Sequence, residues 1–410
     1  MSAAQWRKAM NFSGGGRNWS GGRPAPVTPE TARPPARPAA GSDSVVPTGA
    51  GIWRLWHHVR WRHLVVLVAV LVYPWVATPF FTFQIGGQVL ALGLIALSLT
   101  FLAGYGGMLS LAQMTVAGIA GYIVAILGVS GTPAISLGWP WWLVVILAVM
   151  GATLAATFIG WLSVRTEGIY TIMITLAIGM AFFYLAQQNY EIFNGFQGFQ
   201  KVVPPVVLGI DWRQPMPFYY LALFWALAGY FFVKYLIRSP FGIALQGVRD
   251  NARRMRALGF SPVAHRVAAY AVAGALAGIG GVLLVWYNGL ITPGSVGTSW
   301  LINILIIAVI GGLRHPVGPF IGAIVFVLLQ NFAIDLIDRE RFNLVIGLGF
   351  LVIVLFSPDG LLGWWDKAKE WVMRRAGGRR IATRSGEWRS SGGPTGVSPR
   401  APMARPLGRQ

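Results

Sequence analysis

Long runs of apolar residues limit how this chain can fold more than any other feature. Ten such runs lie at 64–80, 86–103, 112–130, 140–162, 168–188, 217–237, 266–288, 299–312, 317–334 and 342–357. A membrane-spanning helix needs about 20 mostly apolar residues, and backbone in lipid must satisfy its own hydrogen bonds. We therefore predict an all-α integral membrane protein with a bundle of about ten transmembrane helices, or eight to ten because several runs are short or glycine-rich.

The composition agrees with a lipid bilayer as the surroundings. Hydrophobic residues make up 55% of the chain and charged residues 11%, with a mean hydropathy of +0.59, whereas soluble domains carry about 25% charged residues. The chain has no cysteine. This excludes disulfides, thiolate metal sites and a cysteine nucleophile.

The net charge of +20 is concentrated in three stretches. Residues 1–62 hold nine Lys/Arg against two Asp/Glu, 234–266 hold seven against one, and 364–410 hold eleven against three. Basic segments between apolar runs follow the positive-inside pattern of membrane proteins better than a nucleic-acid-binding face. We therefore predict that both termini are cytoplasmic and that the chain binds no nucleic acid.

Three regions follow from this pattern. Residues 1–50, rich in Gly, Pro and Arg, are predicted to be a disordered basic cytoplasmic tail. Residues 51–366 form the polytopic domain, with a cytoplasmic segment at 239–262, and residues 367–410 form a second basic, mostly disordered cytoplasmic tail. No Walker A pattern occurs, so any ATP that drives this protein is expected on separate polypeptides. No cofactor is predicted on this chain.

The cytoplasmic segment has the pattern of a short amphipathic helix. Arg249, Arg253 and Arg256 are spaced i, i+4 and i+7, which places them on one face of a continuous helix. Gly259 suits the C-terminal cap, and Ser261-Pro262 can open the next helix. Charge alone is equally compatible with a solvated loop. As a segment that couples to a soluble partner, the candidate residues are Gly242, Val248, Arg249, Asp250, Asn251, Arg253, Arg256, Leu258 and Gly259.

A second candidate is the glycine-rich stretch from Gly104 to Ser110, which is predicted to break a helix at membrane depth. Unpaired backbone is tolerated there only if it is packed in protein or lines a wet path. The uncharged residues proposed for a solute pathway are Gly104, Tyr105, Gly107, Ser110, Gln113, Tyr170, Thr171, Thr175 and Asn303. Interhelical or backbone hydrogen bonds are the alternative role for each polar side chain.

The apolar runs contain almost no Asp, Glu, Lys or Arg. Carriers driven by ion gradients commonly use such residues inside the membrane, so their scarcity favours energy supplied from outside the bilayer. The runs also lack paired carboxylates, His/Asp metal spacing and a Ser/His/Asp set. We therefore predict a transport subunit without catalytic residues or a metal site.

Four motifs resemble the LivM-type branched-chain amino acid permeases of ABC importers. They are residues 104–113 (GYGGMLSLAQ), 165–176 (RTEGIYTIMITL), 242–262 (GIALQGVRDNARRMRALGFSP) and 311–319 (GGLRHPVGP). One glycine-rich turn would be weak evidence, but the four occur in the order and spacing of that family. The resemblance extends over about residues 64–357.

The resemblance implies a permease of the bacterial cytoplasmic (inner) membrane. Its implied partners are a second homologous permease, two ATP-binding subunits that carry the ATP, and an extracytoplasmic solute-binding protein. In that family the loop at 242–262 docks on the ATPase subunits.

The resemblance leaves the cargo open. Where the family often has Thr-Gly-Gly-x-x-Gly, this chain has Asn-Gly-Phe-Gln-Gly-Phe at 194–199. Urea and short-chain amide permeases share much of the pattern, so they stand as the alternative to branched-chain amino acids. An ion-coupled secondary transporter is the alternative from a different class.

Overall fold

The structure is a computed structural model that describes residues 61–133, 135–166, 168–207, 209–336, 347 and 360. The predicted tails, 1–50 and 367–410, lie outside these residues, as does the tenth apolar run apart from Gly347. Two compact units divide the chain between Leu64 and Val65. Of the first unit only residues 61–64, the start of a helix, are described.

The described residues are mostly helical, as predicted. Their α-helices are α1 (Trp61–Val76), α2 (Gln88–Thr100), α3 (Gln113–Leu127), α4 (Trp141–Ser163), α5 (Ile169–Gln188), α6 (Pro215–Arg238), α7 (Pro240–Ala257), α8 (Pro262–Asn288), α9 (Thr298–Gly311) and α10 (Gly318–Leu336). Each of the first nine apolar runs overlaps one of these helices, and α7 lies in the predicted cytoplasmic segment.

Among the described residues, five helices are long and apolar enough to cross a membrane. They are Phe81–Tyr105, Trp141–Ser163, Ile169–Gln188, Pro215–Arg238 and Pro262–Asn288. The first consists of α2 and two flanking π-helical segments, Phe81–Gly87 and Phe101–Tyr105. Shorter apolar helices are present at α3, α9 and within α10.

Helix α2 is the centre of the bundle. All 13 of its residues are buried, and it contacts α3, α6, α8, α9 and α10. A helix that is surrounded on every side needs apolar residues all round, rather than a single apolar stripe. This explains why the α2 sequence carries no amphipathic pattern.

Small residues bring α8 close to α3 and α4. A Cβ added at Gly274 would collide with the Ala156 Cβ, and one at Gly281 would collide with the carbonyl oxygen of Ala117. The backbones can approach this closely only because these side chains are absent. Helix α8 therefore packs closely against both α3 and α4.

The loops at one end of the bundle are joined by backbone hydrogen bonds. Strand β1 (Phe199–Gln200), after α5, pairs antiparallel with Leu290–Ile291, after α8, and the Gly131 amide after α3 donates to the Gln200 carbonyl at 2.7 Å. A hairpin of Val206–Val207 and Ile210–Asp211 lies in the same α5–α6 connection. The strands are β1, β2 (Val206–Val207), β3 (Ile210–Asp211) and β4 (Leu290–Ile291).

The turn at 194–199, where the sequence departs from the Thr-Gly-Gly-x-x-Gly pattern, has a backbone that allows this contact between loops. Asn194 has a φ of 58° and its side-chain amide donates to the Gly198 carbonyl at 2.6 Å. Gly198 has a φ of +63°, and a Cβ there would collide with the Ile291 carbonyl oxygen. Glycine at 198 is required both by the left-handed backbone and by the adjacent strand.

We expect Gly281→Ala to destabilise the bundle far more than Gly151→Ala. The new methyl at 281 meets Ala117 backbone, whereas at 151 it meets the flexible end of the Ile123 side chain. Overpacking costs about 1–3 kcal/mol, so the Gly281 variant should lose several degrees of thermal stability in detergent. Equal melting temperatures for the two variants would contradict this packing.

Candidate coupling and pathway site

The predicted helix break lies directly after α2. The second π-helical segment ends at Tyr105, Gly107 has a φ of +67°, and α3 begins at Gln113. The Met108 amide donates to the Leu102 carbonyl at 3.1 Å, which closes the turn. π-Helical segments occur frequently at functional sites. We call residues 104–112 the break.

All four motifs meet at the break. The Arg249 guanidinium donates to the Gly104 carbonyl, and the Tyr105 hydroxyl donates to the Arg314 carbonyl at 2.9 Å. The Leu111 amide donates to the Thr175 hydroxyl at 3.1 Å. Segments that are up to 209 residues apart in sequence are thus joined by hydrogen bonds to a few residues of irregular backbone.

Polar side chains continue from the break into the bundle. Thr171 and Thr175 lie one turn apart on the buried face of α5, and the Thr171 hydroxyl donates to the Thr166 carbonyl at 2.9 Å. On α3, Gln113 is only 1% exposed, and its Oε1 accepts from the Ser98 hydroxyl at 3.0 Å. These contacts give several pathway candidates a structural role as well.

Some buried polar atoms near the break have no hydrogen-bond partner among the described residues. They are the Nε2 of Gln113 and the hydroxyl of Thr115. Ser110, within the break, is also buried. Buried polar groups without partners are rare in native structures and call for an explanation, such as a ligand or water. Donors and acceptors of this kind can bind an uncharged or zwitterionic solute.

Two pathway candidates do not join this group. Tyr170 is 66% exposed, and Asn303 is half-buried on α9. Among the described residues, neither makes a hydrogen bond to the break. Thr166, which lies within the second motif, was not among the pathway candidates although it bonds Thr171; its position in that motif was the available signal.

Helix α7 ends where the sequence predicts, and the structure adds the position of its start. Ser239 caps its start by accepting from the Gly242 amide at 3.3 Å, and Pro240 follows. At its end Gly259 has a φ of +88°, and the Phe260 amide donates to the Met255 carbonyl at 3.1 Å. This is a Schellman cap. Ser261 then caps α8 by accepting from the Ala264 amide at 3.4 Å.

The predicted common face of three arginines is wrong, because α7 is kinked at Asn251. Asn251 has φ −157° and ψ 91°, which is not helical, and its side-chain oxygen accepts from the Arg254 amide at 2.9 Å. Asparagine is a favoured N-cap, so a second short helix begins here. Arg249 lies before the kink, and Arg253 and Arg256 lie after it.

A cleft of about 390 Å³ opens beside the kink. Its lining comes from the break, the α4–α5 turn, the kinked part of α7 and the start of α8, and includes Gly107, Thr166, Thr171, Arg249, Asn251, Arg253 and Arg266. Arg266 was not among the predicted site residues. A salt bridge joins Arg249 to Asp250 at 2.9 Å beside this cleft.

One side of α7 is anchored and another is open. Gly242 and Val248 are buried, and a Cβ at Gly242 would collide with the Leu236 carbonyl oxygen. Ile243 and Leu258 are 63% and 67% exposed. Exposed apolar side chains and arginines are both common in surfaces that bind a protein partner.

Comparisons with known proteins place these features in a family. The sequence profile described as "Branched-chain amino acid transport system / permease component" matches residues 81–355. The permease protein LivM of Escherichia coli is 25% identical over 323 residues, which are 72% of this chain and 74% of that protein. The probable LivM of Methanocaldococcus jannaschii is 23% identical, over 57% of this chain and 71% of its own length.

A second kind of permease is also related. The LivH protein of Escherichia coli is 25% identical over 293 residues, covering 66% of this chain and 90% of LivH. No solved structure matches the chain. Because the profile extends from the start of the α2 span past α10 and includes all four motifs, the chain belongs to the family of branched-chain amino acid transport system permease components.

Proposed function

We propose that this chain is the transmembrane permease subunit of an ABC importer that moves branched-chain amino acids or related small polar solutes. The observation that carries the proposal is the meeting of four separate motifs at one irregular turn between apolar helices. A transport subunit agrees with the family, whose relatives are named as branched-chain amino acid transport permeases.

The proposed topology is a bundle of about ten spans in the bacterial inner membrane, with both termini in the cytoplasm. Support comes from the connections, which fall into two groups. The loops after α3, α5 and α8 are joined by β1, β4 and the Gly131 amide. The break, the α4–α5 turn, α7 and the α9–α10 turn are joined by side chains. Since α7 carries the basic residues, its end is assigned to the cytoplasm.

The proposed partners are a second homologous permease, two ATP-binding subunits and an extracytoplasmic solute-binding protein. The ATP-binding subunits are assigned to the open surface of α7, where Ile243, Leu258 and the arginines are exposed. Alternating access would follow if ATP-driven movement of these subunits shifts α7 and thereby the break. Transport would then need no catalytic group on this chain.

The uncharged polar groups near the break suit a solute with small net charge. Gln113, Thr115 and Ser110 offer hydrogen bonds without a fixed charge that would retain an ion. The five described spans hold Lys234, Arg238 and Arg266 only near helix ends and no Asp or Glu. An ion-coupled carrier would place a titratable residue in a span, so this alternative is not favoured.

Cargo and energy source can be tested in one reconstituted system. The complex, assembled with its genomic neighbours in vesicles, should accumulate labelled leucine only when ATP is supplied, and unlabelled leucine should compete where urea does not. Uptake that continues without ATP but is abolished by ionophores would identify a secondary transporter. Competition by urea or acetamide alone would identify the amide alternative.

We expect Arg253→Glu with Arg256→Glu to abolish ATP-dependent uptake. Both arginines are exposed on the second part of α7, and reversing two charges in a docking surface removes the charge complementarity on which docking depends. Uptake should fall by at least about tenfold, which corresponds to about 1.4 kcal/mol or more of lost binding. Labelled leucine uptake and the amount of co-purified ATPase measure the effect.

A double variant at the other end of the bundle serves as the matched control. Lys201→Glu with Arg213→Glu makes the same change in net charge in the α5–α6 connection. It should leave the amount of co-purified ATPase at the wild-type level. Normal ATP-driven uptake by the Arg253/Arg256 variant would refute docking through α7.

We expect Thr175→Val to loosen the break, because the Leu111 amide then loses its hydrogen-bond acceptor. An unsatisfied buried amide costs about 1–3 kcal/mol, so melting temperature and uptake should both fall. Thr175→Ser keeps the hydroxyl and should restore both. Thr157→Val is the control, since the Thr157 hydroxyl bonds a carbonyl of its own helix, at Thr153; it should have little effect on either measurement.

A further inference from the structure

Arg249 occupies the junction between α7 and the break. It follows the buried Val248 and precedes the kink at Asn251 by two residues. Its Nε donates to the Asp250 carboxylate at 2.9 Å, and its Nη1 donates to the Gly104 carbonyl. One guanidinium therefore holds the end of the first part of α7 and the start of the break together.

The Gly104 carbonyl needs such a donor. It lies in the last turn of a π-helical segment, where carbonyls lose their partners within the helix. The backbone of Gly104 packs directly against the α9–α10 turn, since a Cβ there would collide with the Leu313 carbonyl oxygen. The glycine thus lies between the α9–α10 turn and the arginine of α7.

Gly107 provides the space that Arg249 occupies. A Cβ added at Gly107 would lie 2.5 Å from the Arg249 Cγ and 3.3 Å from its Cδ. The stem of the arginine therefore passes directly over the backbone of the break. The contact between α7 and the break depends on both residues.

We propose that Arg249 is the positioning residue that transmits movement of α7 to the break, and so to the solute path. In this assignment Arg249 acts within the membrane subunit, rather than as a contact to the ATP-binding subunits. The kink at Asn251 separates it from Arg253 and Arg256, so the two parts of α7 have different tasks. The inference rests on the proposed function for the origin of the movement.

Arginine suits this task better than lysine. Its planar guanidinium presents several N–H donors in a fixed arrangement, so one side chain can bond a carboxylate and a carbonyl at once. Asp250 fixes the guanidinium from the Nε side, which leaves Nη1 directed at Gly104. A lysine could replace the charge, but its single nitrogen lacks the two fixed donor positions, Nε and Nη1, that Arg249 uses.

The first experiment measures the break without relying on transport. Hydrogen exchange of the full chain in lipid nanodiscs should show the amides of 104–112 exchanging about tenfold faster or more in Arg249→Gln, because hydrogen bonds to charged groups are strong. Arg254→Gln removes the same charge from an exposed side chain of α7 and should leave exchange at the break unchanged. Equal exchange in wild type and Arg249→Gln would overturn the proposal.

The second experiment measures coupling in the complete complex. Gly107→Ala should lower the solute taken up per ATP hydrolysed by at least about fivefold, since the methyl displaces Arg249. Gly138→Ala is the matched control, because Gly138 also has a φ of +67° but nothing within 4 Å of an added Cβ. It has the same backbone strain and should transport normally.

The outcomes separate this inference from the proposed function. If the wild-type complex takes up no solute with ATP, the proposed function fails, while the exchange result still decides whether Arg249 holds the break. If the wild type transports and Gly107→Ala keeps the normal ratio of uptake to hydrolysis, Arg249 does not transmit the movement. Arg249→Lys should fall between wild type and Arg249→Gln in amide exchange at 104–112 and in solute uptake per ATP hydrolysed. Wild-type values of both quantities in Arg249→Lys would overturn the requirement for the double contact.

Discussion

The structure depends on satisfying the backbone of one irregular turn between apolar helices. Where a helix ends in irregular backbone, its amides and carbonyls need partners from elsewhere in the protein. At the break these partners are the Thr175 hydroxyl and the Arg249 guanidinium, and the Tyr105 hydroxyl adds a bond to the α9–α10 turn. This requirement explains why short motifs far apart in sequence belong to one site.

The helices around the break are held by a different kind of contact. Helix α2 is buried on all sides, and α8 lies against α3 and α4 through positions where only glycine fits, such as Gly274 and Gly281. Packing of this kind has little freedom, because closely packed interiors resist small changes in volume. Movement is therefore expected where hydrogen bonds, rather than interlocked backbones, connect the elements.

Much of this architecture could be predicted from the sequence. Apolar runs predicted the helices, and Ser239, Gly259 and Ser261 have the capping roles that their residue types favour. These features are local or periodic, so a single sequence contains the information. The number of spans stays a prediction, since within the part of the chain that the structure describes five helices meet the length and apolarity required of a span.

The kink in α7 could not be obtained from spacing. Three arginines at i, i+4 and i+7 share a face only if the helix is continuous, and the Asn251 side chain ends that continuity by capping the next turn. The role of Thr175 could not be predicted from the sequence either, since a threonine fits a solute path and a structural hydrogen bond equally well. Which role applies depends on whether another segment's amide lies within reach, and that is set by tertiary structure.

Charged residues are concentrated in α7 and are scarce in the apolar spans, and this gives the two regions different properties. The described spans hold no Asp or Glu, and the basic residues of α7 lie just outside them. A charge-assisted hydrogen bond such as that from Arg249 to Gly104 is roughly twice as strong as a neutral one, yet it can break and re-form without disturbing packed side chains. In the proposed function, a bond of this kind at the boundary between the basic segment and the apolar bundle would follow the movement of an ATP-binding subunit. The uncharged interior would let a polar solute pass without binding it tightly.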